Sequence, residues 1–111
     1  MKIAIIIYSN DSETAWNAFR FANTSRSFDT QVNIFLLGKG VEVATISTLQ
    51  YDVLDQMRIF RDSGGHIMGC GVCCESRKVE MPFLLEQLKC EMGSMRQLYG
   101  LVAEADKVLT F

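Results

Sequence analysis

The sequence predicts an α/β fold: a three-layer α/β/α sandwich around a five-stranded, mainly parallel sheet, in a single domain spanning residues 1–111. Three observations lead there. The chain has 111 residues, within the ~100–150 that usually enclose one hydrophobic core. Its composition, 49% hydrophobic and 22% charged with one proline, is that of a globular protein, unlike a disordered or coiled-coil chain. Two apolar runs, Lys2–Tyr8 (KIAIIIY) and Gln31–Leu37 (QVNIFLL), lack the alternation of a sheet with one wet face, so they fit strands covered on both sides.

KIAIIIY is the expected central strand. Asn10, with Glu13 three positions on, has capping-box spacing, and Ala15, Trp16, Phe19 and Ala22 recur at helical intervals, so a helix is expected to run to about Ser27. The QVNIFLL strand stops at Gly38 and Gly40, completing a βαβ unit whose crossover should be right-handed. Val41–Leu49 reads as a loop with apolar content. Val53, Leu54, Met57 and Phe60 mark one face of a second helix, which ends at Ser63-Gly64-Gly65, where the glycines fit a C-cap and turn. His66–Cys70 (HIMGC) is a short third strand. A fourth is expected over Leu88–Met92. Ser94 with Gln97 forms a second capping box, Leu98, Leu101, Val102 and Ala105 give an amphipathic last helix, and Lys107–Phe111 (KVLTF) closes as a strand.

The formal charge is −2, from 11 basic and 13 acidic residues, which provides no net attraction for phosphate backbones or anionic membranes. Nucleic acid and membrane are therefore not expected partners. The longest apolar stretch, Ile3–Tyr8, is six residues, far below the ~20 needed to cross a bilayer. Lys2 precedes it and no cleavage-like region follows, so a cytoplasmic protein is expected.

Of the four cysteines, Cys70, Cys73 and Cys74 fall within five residues and Cys90 stands alone. A secreted disulfide framework spreads its cysteines to staple distant loops; bunching points to a reducing compartment and to thiol chemistry or a metal. In a parallel sheet, sites form at the carboxyl ends of strands, and Cys70 closes the HIMGC strand. Free amide groups at a following helix start and the guanidinium of Arg77 would favour thiolate there, which suits a nucleophilic or persulfide-bearing cysteine. Burial as a small hydrophobe is the commonest fate of free cysteine and suits Cys90; it explains poorly three cysteines in a glycine-bracketed loop. Glu75, beside the thiols, is expected in solvent, since an inward carboxylate would oppose thiolate formation.

The stretches Asp11–Ala22 (DSETAWNAFRFA), Phe35–Glu42 (FLLGKGVE), Gly69–Arg77 (GCGVCCESR), Glu91–Ser94 (EMGS) and Glu104–Phe111 (EADKVLTF) resemble the DsrE family of small sulfur-relay proteins, in order and over nearly the whole chain. The resemblance implies a five-stranded parallel sheet between helical layers, a homo- or hetero-oligomer with a trimer or hexamer ahead of a dimer, and a sulfur-accepting cysteine after the third strand. By position that cysteine is Cys70, the second cysteine of the Cys-Gly-x-Cys stretch is Cys73, and the arginine that follows is Arg77. The sequence departs from the pattern at Lys78, where the family usually has glycine, and at Cys74, an additional thiol.

The implied function is a persulfide carrier or sulfurtransferase with protein sulfur donors and acceptors and no cofactor. Three other readings stand beside it. A dithiol oxidoreductase would use Cys70 and Cys73, but thioredoxin-like enzymes set a cis-proline against their dithiol and the only proline is Pro82, in a segment without strand signal. A metal-binding module would need Cys70, Cys73, Cys74 and Cys90 to converge, which adjacent Cys73 and Cys74 do not favour. A non-enzymatic oligomeric scaffold would leave the cysteines without a role. Gly38-Lys39-Gly40 lacks the third glycine of a dinucleotide fingerprint and its place after the first strand. His66, ~13 Å from Cys70 along an extended strand, reads as a strand-edge residue.

Overall fold

In the computed structural model, which describes residues 1–111, the chain runs β1 (Lys2–Ile7), α1 (Ser12–Arg26), β2 (Gln31–Leu36), α2 (Val53–Asp62), β3 (His66–Cys70), α3 (Gly71–Ser76), β4 (Glu91–Gly93), α4 (Met95–Glu104) and β5 (Lys107–Thr110). The strands form one five-stranded sheet in the order β4-β3-β2-β1-β5, so that β2, not the expected β1, is central, with β1 interior beside the edge strand β5; every neighbouring pair is parallel. The sheet steps in one direction from β1 to β4, then returns past all of them to β5. Right-handed crossovers therefore put α1 and α2 together on one face, where they pack on each other, and α4 on the opposite face alone.

Burial follows that asymmetry. Ile5 is in register with Ile34, Ile34 with Ile67, and all three are buried on the α1–α2 side together with Phe19, Met57 and Phe60. Phe19 and Phe60 meet edge-on, their ring centroids 6.2 Å apart. On the other side Phe35 and Met68 are buried, but α4 contributes no buried residue. A single helix running along the strands is ~10–12 Å across, too narrow to roof strands whose outer axes lie ~19 Å apart. Tyr99 and Met95 on α4, at 74% and 63% exposure, and Val108 on β5 remain open. No helix is long and apolar enough to cross a membrane.

Local chemistry corrects the sequence-based boundaries in four places. Asp11, not Asn10, caps α1: its carboxylate accepts the Thr14 backbone N–H at 3.0 Å, while Asn10 turns away to Glu42. The expected loop at Val41–Leu49 is largely a 3-10 helix, Gly38–Thr45, which buries Val41, Val43 and Ala44. The fourth strand is three residues long, Glu91–Gly93, because Leu88 is drawn into the core and Lys89 takes a left-handed φ of 53° that breaks the extended run. The segment around Pro82, which the sequence marks only by its lack of strand signal, contains a π-helical turn at Phe83–Gln87 that buries Leu84. The Ser94–Gln97 pair forms as expected, with the Gln97 side chain accepting the Ser94 backbone N–H at 2.6 Å. Trp16 is half-buried against Tyr51 and Arg20, and His66 meets Glu91 of the neighbouring strand at 2.7 Å.

Candidate functional site

The thiol cluster lies where β2 and β3, adjacent in the sheet, reach their carboxyl ends. Cys70 is the last residue of β3 and the N-cap of α3, with extended φ −68° and ψ 113°. In that conformation a short side chain folds back over the first turn, and the Cys70 sulfur accepts the Cys73 backbone N–H at 3.3 Å. Cys73 faces the neighbouring strand end: its sulfur accepts the backbone N–H of Gly38 at 3.3 Å. Cys73 is half-buried, whereas Cys70 is 6% exposed and Cys74 fully enclosed. Cys74 points toward Gly69, where its sulfur lies at ordinary contact distance from the position a Cβ would take. Glu75 is exposed.

Arg77 caps the end of α3, its backbone N–H bonded to the Cys73 carbonyl at 3.0 Å. The turn that follows is closed by Val79 N–H to the Cys74 carbonyl at 2.9 Å, and Lys78 holds the left-handed φ of 56° that a glycine would adopt without strain. The Arg77 guanidinium reaches Glu42, with Nε 3.1 Å from Oε2 and Nη2 3.4 Å from Oε1. Glu42 also accepts Asn10 Nδ2 at 2.9 Å. The bonds from Asn10 and then Arg77 hold its carboxyl below the usual carboxylate range.

These contacts set the electrostatics of the thiols. Burial, then the hydrogen bond with the Cys73 side chain, push the Cys70 thiol up; the backbone N–H groups of Cys73 and Val72 pull the other way and do not prevail. The Arg77 guanidinium is engaged by Glu42, a residue the sequence reading did not single out, although it ends the FLLGKGVE stretch and so leaves the sheet at the same edge as the cysteines. Burial likewise raises Cys74 and pushes Cys90 up to about 12. The structure thus brings Cys70 and Cys73 together, places Arg77 at the far end of the same short helix, and leaves Cys90 in the core. The four cysteines do not gather into a set that could hold an ion.

The same segments enclose a largely apolar cavity of about 270 Å³ between the 3-10 turn and the stretch after α3, lined by Val41, Ala44, Val79, Phe83 and Leu84 among others.

The fold is shared with solved proteins. The ychN protein from E. coli superposes with a TM-score of 0.83 at 23% identity, covering 100% of both chains. A conserved protein of unknown function from Bacteroides thetaiotaomicron gives 0.80 at 23% identity, over 99% of this chain and 94% of its own. In sequence, an uncharacterized protein of Methanocaldococcus jannaschii is 34% identical, with 100% of both chains covered, and one of Methanopyrus kandleri is 28% identical over 89% of this chain and 83% of its own. The family model of the DsrE/DsrF-like family matches residues 1–111, from the β1 strand through the cysteine loop to the last residue, and the chain belongs to that family.

Proposed function

We propose that this protein is a sulfur carrier that takes sulfane sulfur as a persulfide on Cys70 and passes it to a thiol of an acceptor protein. The observation that carries the reading is the placement of Cys70: at the carboxyl end of β3, on a helix cap, with a second thiol against it and backbone N–H groups directed at its sulfur. In the loading step the Cys70 thiolate attacks the outer sulfur of a donor persulfide. A Cys70 persulfide forms, and the donor leaves as its thiolate. The backbone N–H groups stabilise the anion in both directions of transfer, while Arg77 and Glu42 tie the end of α3 to the 3-10 turn and so fix the loop that holds the thiols. Membership of the DsrE/DsrF-like family supports sulfur-relay partners.

Cys70 is 6% exposed, so a small donor, inorganic polysulfide, is the suitable probe. Intact mass after loading and desalting is expected to show one additional, dithiothreitol-labile sulfur atom in wild type and in Cys90→Ser. Cys70→Ser should lose that adduct almost completely while keeping the wild-type circular dichroism spectrum. Undiminished loading of Cys70→Ser rejects the assignment.

The open α4 face supports self-association with copies of this chain, the family resemblance implying a trimer or hexamer. Tyr99 and Met95 are both more than half exposed, and large exposed apolar groups gathered on one face mark a contact surface. Light scattering should report a multiple of the chain mass that falls when Tyr99 and Met95 are both changed to Glu. A monomer at micromolar concentration defeats this expectation.

A further inference from the structure

Two thiols meet at the end of β3, and a carrier needs only one. Cys73 is the N3 residue of the turn capped by Cys70, its own N–H bonded to the Cys70 sulfur at 3.3 Å. Its sulfur is held from the other side by Gly38 N–H at 3.3 Å, and it is the one cysteine of the four that is not fully buried. Cys-x-x-Cys pairs at a helix start are a recurrent disulfide-forming arrangement. Cys74 is a poor competitor: it is fully enclosed and faces Gly69.

We propose that Cys73 discharges the sulfur held on Cys70, so that this chain also reduces sulfane sulfur to sulfide; the inference rests on the carrier reading. The Cys73 thiol first gives its proton to solvent. Its thiolate then attacks Sγ of Cys70 within the Cys70 persulfide, a disulfide forms between Cys70 and Cys73, and the bond to the outer sulfur breaks. The outer sulfur leaves with its proton and the bonding electron pair as HS⁻. The dithiol has lost two electrons and the sulfane sulfur has gained them, so the step balances without a further oxidant. A dithiol reductant restores Cys70 and Cys73. When an acceptor thiol arrives first, sulfur is relayed; when none does, it leaves as sulfide.

The test uses the full chain, reduced, loaded anaerobically with inorganic polysulfide, desalted, and followed by intact mass and by a sulfide assay. In wild type and in Cys74→Ser the adduct should decay while sulfide appears in equal amount, leaving a protein two hydrogens lighter than the reduced form, with Cys70 and Cys73 linked in one peptide. In Cys73→Ser, and in Cys73→Ala as a second replacement, the adduct should persist on the order of tenfold longer or more, because the internal attacking thiolate is gone. Decay with sulfide release at the wild-type rate in both Cys73 variants overturns the proposal and leaves the carrier reading standing, as does a disulfide mapped to Cys74. Absence of any adduct in wild type and in both Cys73 variants overturns both.

Discussion

Gly40→Ala is expected to cost about 3 kcal/mol of stability, among the largest effects of any single methyl group in this protein. A Cβ at position 40 would fall within bonding distance of the Ile7 carbonyl oxygen and 2.6 Å from the carbonyl carbon. Neither partner has freedom to yield. The Ile7 carbonyl already accepts Leu37 N–H at 2.9 Å, and Gly40 N–H donates to the Leu37 carbonyl at 2.9 Å, so displacing either opens the junction of β1, β2 and the 3-10 turn. That turn carries Gly38, bonded to Cys73, and Glu42, paired with Arg77; a shifted turn loosens the thiol site as well as the fold. Gly100→Ala is the control, since a Cβ there meets nothing within 4 Å and alanine is favoured over glycine in a helix by about 1 kcal/mol. Urea denaturation should move the two midpoints in opposite directions. A Gly40→Ala loss smaller than that between ordinary surface variants, about 0.5 kcal/mol, contradicts the close approach.

The parts of this structure that were legible in the sequence are those where one local signal decides. Unalternating apolar runs make β1 and β2, helical spacing of Ala15, Phe19 and Ala22 makes the buried side of α1, and Gly64, with φ 85°, ends α2 where the glycine pair is written. The site was half legible: the cysteine bunching and the end of β3 place Cys70 and Cys73 correctly beside each other. What a linear reading misses depends on distant partners. Glu42 looks like any exposed carboxylate until the parallel order brings the ends of β2 and β3 together. The 3-10 turn, Gly38–Thr45, winds at about three residues per turn and so does not show the period of an α-helix, yet its Val41 and Val43 are fully buried. The π-helical turn at Phe83–Gln87 breaks the period on which helix recognition rests. Asp11 outcompetes Asn10 for the cap because Asn10 has a better use, bonding Glu42. The isolation of α4 follows from strand order, which periodicity does not contain.

The structure separates two kinds of cysteine that composition cannot. Cys70 and Cys73 receive backbone N–H groups on their sulfurs, while Cys90 packs at 3% exposure with the hydrophobic core. The first arrangement supplies donors to a sulfur anion at the end of a sheet, although burial still outweighs them at Cys70. The second opposes one.

That opposition makes the protein alkali-sensitive through Cys90. Its thiol, ordinarily at 9.0, is pushed up to about 12 in the fold, by burial first and the neighbouring Cys74 charge second. Below the unfolded value the thiol is protonated in both states and contributes no pH dependence. Between 9.0 and about 12 the unfolded chain releases a proton that the folded chain retains, so stability falls as pH rises, by about 1.4 kcal/mol per pH unit for one such thiol. Cys70 and Cys74 are raised in the same direction and add to the fall. Cys90→Ala removes one share. At neutral pH the variant should be the less stable, having lost a buried sulfur; with rising pH its stability should decline less steeply than that of wild type, by up to about 1.4 kcal/mol per pH unit. Tyrosines and lysines that titrate in the same range are common to both chains and cancel in the difference. Urea denaturation under reducing conditions in steps from about pH 8 to about pH 11 measures the two slopes. Parallel slopes reject the buried, neutral Cys90, and a gap between the two chains that narrows as pH rises supports it.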